Sequence, residues 1–540
     1  MKYFRLAKHK ILNYVLGILL PFVLFGLVLI INLPVDFAYF LAKFQLPHFL
    51  ILIFFFTMCF RLNGISVWII GCSLTMVLFG LQLSSKWTLG ITNANIIGGF
   101  IPYKDGFYYY NSARILLSGQ AIPEAGLQGA FRPLFPGMLS VLLLLINNNL
   151  IFVIALVVAL TAFCCFLSAF YINKKFGPIP AALILVFLFS FIRPMIGYSL
   201  TEIPSLLFCC LAFILLLSGA EQKKHMDIVI GGLLLVIAIS VRAGPFLVLP
   251  ILIFWTGWIF RTGKKINLKQ IIIYGLVFSA EFLMVNFFFP KLLTATNSST
   301  FGNFSWMLYG QAVGGAGWSH HLEALGTHDS TLVMQAAIER LINYPLGFFI
   351  GAYKSFRDFF LPGTNSMFNL IHFKNNIYNY IFWIANILSL ILGLNHIILN
   401  VKEPKYSLLF SIFMGTISSI PFLPPIDGGN RFYSGIAPFF FTIEAIGIFS
   451  LFSYMEIKPK FYDSFDDNYI KWVRGYSGIM IALILIAPII VFFSRPTPNV
   501  VVPYCKNDQV PFGTFVNNGS YVDILSNDSD VCGKLPIICL

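Results

Sequence analysis

Positions 11–31 carry no charged side chain, and a helix of about 20 apolar residues is what crosses the hydrocarbon core of a bilayer. The pattern returns along the whole chain. Residues 36–60, 66–83, 150–171, 179–191, 201–217, 228–241, 245–260, 269–289, 378–400, 407–423, 433–452 and 476–493 read the same way, about thirteen runs in all. Lys43 and His48 interrupt the run at 36–60. Several others are short and adjoin proline, as tilted or broken helices packed among neighbours do. Hydrophobic residues make up 58% of the 540 positions and charged residues 11%, against roughly 45–50% and 25% in a soluble domain. Disorder, a collagen-like fibre and a disulfide-dense module are excluded by the same figures. The expectation is an all-α polytopic membrane protein of about 13 transmembrane helices over residues 1–493, followed by a short tail, 494–540. The run at 11–31 is long enough to span and no small-residue site closes it, so no cleavable signal is read there.

The net charge of +13 raises the question of nucleic acid, and the positions of the charges answer it. With the N-terminus inside, 19 of the 35 Lys and Arg fall in short cytoplasmic connections, among them Lys174, Lys175, Lys223, Lys224, Lys402 and Lys405. That is the positive-inside pattern. An odd number of spans then puts the C-terminus outside. The basic surplus is topogenic and suits contact with anionic lipid as well, and no nucleic-acid partner is expected. Three long segments face out: about 84–149, 290–377 and the tail. Six cysteines, Cys59, Cys72, Cys164, Cys165, Cys209 and Cys210, lie in apolar runs as small buried residues. Cys505, Cys532 and Cys539 fall in the tail, where one disulfide has room to form and its pairing is open.

The first outer segment reads Tyr103-Lys104-Asp105-Gly-Phe-Tyr108-Tyr-Tyr-Asn-Ser-Ala-Arg114 and on to Gly119. Residues 107–118 form an aromatic juxtamembrane helix on this reading, stopped by Gly119. Asp105 stands just ahead, as an N-cap or a catalytic carboxylate. Phe131-Arg132-Pro-Leu-Phe-Pro136 follows, and 137–146 reads as a second juxtamembrane helix. Arg193, Glu202, Arg242 and Arg431 lie at the outer mouths of later spans. Each alone is ordinary snorkelling or pairing; together with Asp105 and Arg132 on one face they read as a site, because charges at such depth are costly unless paired or wet. A third group, His320, His321 and Glu323 with His328 and Asp329 beyond, carries ligand types that suit a divalent metal, although its spacing matches no closed motif. Solvated surface histidines are the plainer reading. Glu281 and Glu444 lie inside apolar runs and need a partner or a proton. Four Asn-X-Ser sequons, at Asn297, Asn303, Asn518 and Asn527, receive no function.

A carboxylate, several arginines and aromatic helices at the outer boundary suit a lipid-linked phosphosugar. Arginine grips phosphate through its planar fork, and a loop Asp near an acceptor hydroxyl can act as general base. At this point the residues resemble a family. Asp105-Gly-Phe-Tyr with Leu117-Ser-Gly119, Arg132-Pro-Leu-Phe-Pro136, Glu202 opening a span, the turn from Val241-Arg242 to Pro245, and Asn430-Arg431-Phe-Tyr resemble the layout of the polytopic GT-C glycosyltransferases. These include protein O-mannosyltransferases and the aminoarabinose transferases acting on lipid A. The resemblance implies a polyprenyl-phosphate sugar donor, a glycolipid, glycan or protein acceptor, inversion at the sugar, and Asp105 as catalytic carboxylate. Arg132, Arg193, Arg242 and Arg431 would hold the donor phosphate, with Lys104, Tyr108 and Glu202 in support. It also implies a multi-pass protein of a bacterial inner membrane, with its site facing outside. Members often place one span before the catalytic loop, where this chain has about three; many carry adjacent acids, where Asp105 has Lys104 and Gly106. A secondary transporter or lipid-linked glycan flippase using Glu281 and Glu444 is the alternative, although no inverted repeat is visible. An unrelated glycan polymerase or ligase working through the His320 loop is a third reading.

Overall fold

The computed structural model describes residues 17, 19–62, 64–123, 132–261, 263, 265–295, 303–363, 365–371, 376–453 and 466–494. Phe131, the tail with its three cysteines, and the sequons at Asn297, Asn518 and Asn527 lie outside them. Each of the thirteen apolar runs coincides with a helix. In chain order these begin with α1 (Leu19–Ile30), α2 (Val35–Ala42), α3 (Leu46–Phe60) and α4 (Val67–Thr88). Two helices without spanning length follow, α5 (Asp105–Leu117) and α6 (Leu134–Leu145). Then come α7 (Leu150–Phe176), α8 (Pro178–Ile192), α9 (Glu202–Gln222), α10 (His225–Val241), α11 (Val248–Ile259) and α12 (Leu268–Leu293). Four further helices, α13 (Phe304–Ala312), α14 (His320–Leu325), α15 (Ser330–Asn343) and α16 (Pro345–Phe360), make a separate layer. The last four are α17 (Asn376–Leu399), α18 (Pro404–Ser419), α19 (Ala437–Ser453) and α20 (Tyr469–Ser494).

The chain is therefore an all-α, membrane-embedded protein. Among the described residues, seven helices are long and apolar enough to cross alone, and eight when α2 and α3 count as one span bent by 85°. That bend falls where Lys43 and His48 break the apolar run. The other runs give shorter helices: α10 has 17 residues and α11 has 12, or about 26 and 18 Å at 1.5 Å per residue.

Burial sorts the helices into core and lipid-facing shell. The apolar stretch of α9 is wholly buried, whereas that of α12 or α17 is only 28% buried. Around α9 pack α7, α10, α18 and α19. Hydroxyl bonds tie α9 to α10 and to the turn before α19, since Ser434 donates to Ser205 Oγ at 3.0 Å and Ser205 to the Ala238 carbonyl at 2.8 Å. Packing against α5 and the end of α20, α6 is buried along most of its length. The α13–α16 layer has its own small core of Trp306, Leu308, Tyr309, Val333 and Ala337.

Three details differ from the sequence expectation. Helix α5 begins at Asp105 rather than 107, with Lys104 as the flanking residue at φ 45°. Asp105 is thus in the first turn, where the helix dipole favours a carboxylate, and makes no capping bond. Helix α6 begins right after Pro133, three residues earlier than expected, as proline at a helix start permits. A short hairpin, Ile96–Ile97 with Ile101–Pro102, stands before α5; its short strands gave no run of alternation to detect.

Candidate functional site

The start of α5 is seated by backbone contacts. The Tyr103 N–H donates to the Asn95 carbonyl at 3.0 Å. A Cβ on Gly106 would stand 3.1 Å from that same oxygen and 3.7 Å from the Ser199 carbonyl. The first turn, with Asp105, is thereby pressed between the hairpin and the segment leading into α9.

Glu202, the first residue of α9, has no exposure and faces two guanidinium groups. Arg431, from the 3₁₀ turn before α19, donates through Nε to Glu202 Oε1 at 2.6 Å. Arg242 ends α10 in extended backbone (φ −122°, ψ 117°), which swings its side chain to 3.5 Å from the same oxygen and over the Phe432 ring at 4.7 Å. From the segment before α6, Arg132 is 3% exposed and donates to the Tyr109 hydroxyl at 3.0 Å. Tyr109 is one helical turn beyond Asp105. Arg132, Arg431 and Tyr109 all act electrostatically on Arg242, and Asp105 acts on Arg431. Asp105, Tyr109, Arg132, Glu202, Arg242 and Arg431 are therefore one cluster, assembled from five parts of the chain.

The two guanidinium groups respond differently to this setting. Burial pulls the pKa of Arg242 down to about 10; Glu202 opposes this and the charges of Arg132 and Arg431 add to it. Arg431 is also subject to burial, but Glu202, in direct contact, and Asp105 outweigh it and hold its pKa above the usual value. Both stay cationic at neutral pH.

The cluster has donors to spare. Arg132 Nε, Arg242 Nε and Arg431 Nη2 are buried without a hydrogen-bond partner. Three guanidinium charges face two carboxylates, and buried donors of this kind are ordinarily satisfied. Arg431 retains 25% side-chain exposure, against 6% for Arg242. Asp105 is half-buried. Guanidinium N–H groups with hydrogen-bonding capacity left over can bind an anion such as phosphate; Glu202 Oε2 is likewise buried without a hydrogen bond.

Other expected residues lie elsewhere. Arg193 gives its Nη1 proton to the Ala42 carbonyl at 2.9 Å and stands over Phe44, away from Glu202. Lys104 is exposed and its ammonium is 5.9 Å from the Tyr103 ring centre. Tyr108 packs against Phe107; Tyr109 reaches the cluster in its place. Spacing was the available signal, since positions 105 and 109 share a helix face. His320 pairs with Glu323 at 3.2 Å, while His321 turns inward against Trp306, with ring centres 4.9 Å apart. Burial lowers the pKa of His321. Among the described residues, no three His, Cys, Asp or Glu side chains gather as a ligand set; His321 and His328 lie with ring centres 5.5 Å apart, while His320 turns to Glu323. A shallow groove of about 370 Å³ runs along α15, lined by Gln335, Ile338, Glu339, Ile342 and Asn343, none of them from the cluster.

Comparison with known proteins adds no name. No family model matches this chain, and no curated protein or solved structure matches it.

One acidic residue was passed over in the sequence. Asp427 accepts the Trp318 N–H through Oδ1 at 2.7 Å, while its Oδ2 is buried without a partner. Burial raises its pKa to about 6, with the Trp318 bond pulling the other way. It fastens the α13–α16 layer to the turn that carries Arg431. Asp-Gly-Gly reads as turn chemistry, which concealed it.

Proposed function

We propose that this protein is a membrane glycosyltransferase that moves a sugar from a polyprenyl-phosphate donor to an acceptor hydroxyl, with inversion, on the extracytoplasmic face. The observation that carries the reading is the trio of buried guanidinium N–H groups without a hydrogen bond on Arg132, Arg242 and Arg431, with Asp105 acting electrostatically on Arg431. In this scheme the arginines hold the donor phosphate and Asp105 accepts the acceptor proton. The acceptor oxygen bonds to the anomeric carbon as the bond from that carbon to the phosphate oxygen breaks. Polyprenyl phosphate leaves with the electron pair, its charge met by the guanidinium groups. Glu202 keeps Arg242 and Arg431 in place, and the resemblance to GT-C enzymes supports the same assignment. About thirteen spans, an inside N-terminus and a bacterial inner membrane belong to this proposal. So do a glycolipid, glycan or protein acceptor and, as the metal alternative, a divalent ion at His320, His321 and Glu323. No step is routed through an ion.

The test is incubation of the purified protein with radiolabelled polyprenyl-phosphate sugars and a membrane extract. Label passing to an acceptor with release of polyprenyl phosphate supports the reading, and no transfer from any donor counts against it. A transporter is the second reading, favoured by Glu444, whose two carboxylate oxygens are buried inside α19 without a partner. Translocation of a lipid-linked glycan in vesicles without bond cleavage would select it.

A further inference from the structure

Lys86, Arg193 and His48 lie at the elbow between α2 and α3, and the Asp105 cluster uses none of them. Lys86, near the end of α4, is 4% exposed; its ammonium donates to the Pro194 carbonyl at 2.6 Å and stands 4.0 Å from the centre of the Tyr198 ring. Arg193, just past α8, bonds to the Ala42 carbonyl at the end of α2 and lies over Phe44. Its charge acts on both Lys86 and His48. His48 Nδ1 accepts the Gln45 N–H at 3.1 Å, so Nε2 is the ring's donor.

Each of these groups keeps donor capacity beyond the bonds just named. His48 Nε2 and Arg193 Nε are buried with no hydrogen-bond partner, and Lys86 has protons beyond the one given to Pro194. Among the described residues no carboxylate pairs with any of the three. Helix-end carbonyls return only a fraction of a unit charge each, which does not offset two neighbouring cations in so dry a place. An anion completes the site.

We propose that this elbow binds a phosphate group, supplied by a lipid headgroup. Phosphate oxygens accept from all three side chains at once, and Phe37, Phe40, Leu50, Ile51 and Phe54 on α2 and α3 are exposed, an apolar surface for the attached chain. Tyr198 separates this site from the arginine cluster by one ring: Lys86 stands over it and Arg431 acts on its hydroxyl. The proposal goes beyond sugar transfer and does not depend on it, because none of its three basic residues belongs to the Asp105 cluster.

The test is thermal unfolding of the full chain in non-ionic detergent, titrated with dihexanoyl phosphatidic acid or with inorganic phosphate. Phosphatidic acid raises the melting temperature of the wild type. Lys86→Met and Arg193→Gln each weaken its apparent affinity at least tenfold, and Lys402→Gln, at an exposed lysine outside both clusters, leaves it within about twofold. Lys86→Arg, which keeps the charge, retains the response. Should one neutral variant fail to fold, the other carries the comparison. A response that inorganic phosphate does not reproduce assigns the site to lipid; an equal response to inorganic phosphate, lost in the same variants, overturns the lipid source and assigns a free anion. A wild type indifferent to both probes, or an unchanged response in Lys86→Met, overturns the site itself.

Discussion

Asp427 combines two demands that pull against each other. Its carboxylate fastens Trp318 and the layer behind it, yet burial raises its pKa to about 6. A carboxyl group with a folded pKa above its unfolded value binds protons more tightly when folded. Its ionisation therefore destabilises the fold increasingly as pH rises from about 4, and the penalty is complete above about 6. Asp427→Asn keeps an oxygen for the Trp318 N–H and cannot ionise. It should melt higher than the wild type at pH 7.5, by about 1–3 kcal/mol for a shift of about two units, and the gap should close near pH 4. An Asn variant less stable than wild type at pH 7.5 would refute this. Residue-scale chemistry was partly legible: Asp105, Arg132, Glu202, Arg242 and Arg431 converge as their placement at helix mouths implied. Arg193 has a sequence context close to that of Arg242, a charge at the end of an apolar run with proline one residue on for Arg193 and three for Arg242. No local pattern tells which of the two swings toward Glu202 and which toward Ala42.

Between elements, close packing is set by small residues, as in other helix pairs embedded in lipid. Helices α17 and α19 approach so closely that a Cβ on Gly447 would overlap the Ser389 carbonyl, and one on Gly393 the Ile443 carbonyl. Gly478 in α20 has open space around it. Gly447→Val should force the pair apart and destabilise the protein by about 2 kcal/mol or more, whereas Gly478→Val should stay within about 0.5–1 kcal/mol. Melting of the purified variants checks both, and equal effects would contradict the close approach. Among the described residues the thirteen apolar runs fall on helices, the run at 36–60 on two, because hydrophobic length is a local property. The α13–α16 layer went unread because its helices are short or amphipathic. Helix α16 buries Gly351, Ser355 and Phe359 on one side and exposes Leu346, Phe349 and Tyr353 on the other, a pattern with no long apolar run.

For the molecule as a whole, the proposed topology rests on basic residues in short connections, and the fold puts some of them to other uses. Arg474 is bonded to Asp227 of α10, with one contact at 2.9 Å, and Lys175 pairs with Glu221 at 2.8 Å. Lys104 and Lys402 are both exposed and belong to opposite sides in the proposal. A membrane-impermeant maleimide applied to intact cells should label Lys104→Cys at once and Lys402→Cys only after permeabilisation. The reverse order would invert the topology and with it the side on which Asp105 works.

The central claim is a division of labour, with arginines for the phosphate and Asp105 for the proton. Donor affinity and single-turnover transfer, measured side by side for Asp105→Asn and Arg431→Gln, test it most directly. The account predicts that Asp105→Asn keeps donor affinity within about threefold while transfer falls by about 10²–10⁴, the range for a lost general base. Arg431→Gln should weaken donor binding about ten- to a hundredfold, as expected for one charged hydrogen bond. Near-normal transfer by Asp105→Asn, or unchanged donor affinity in Arg431→Gln, would contradict it.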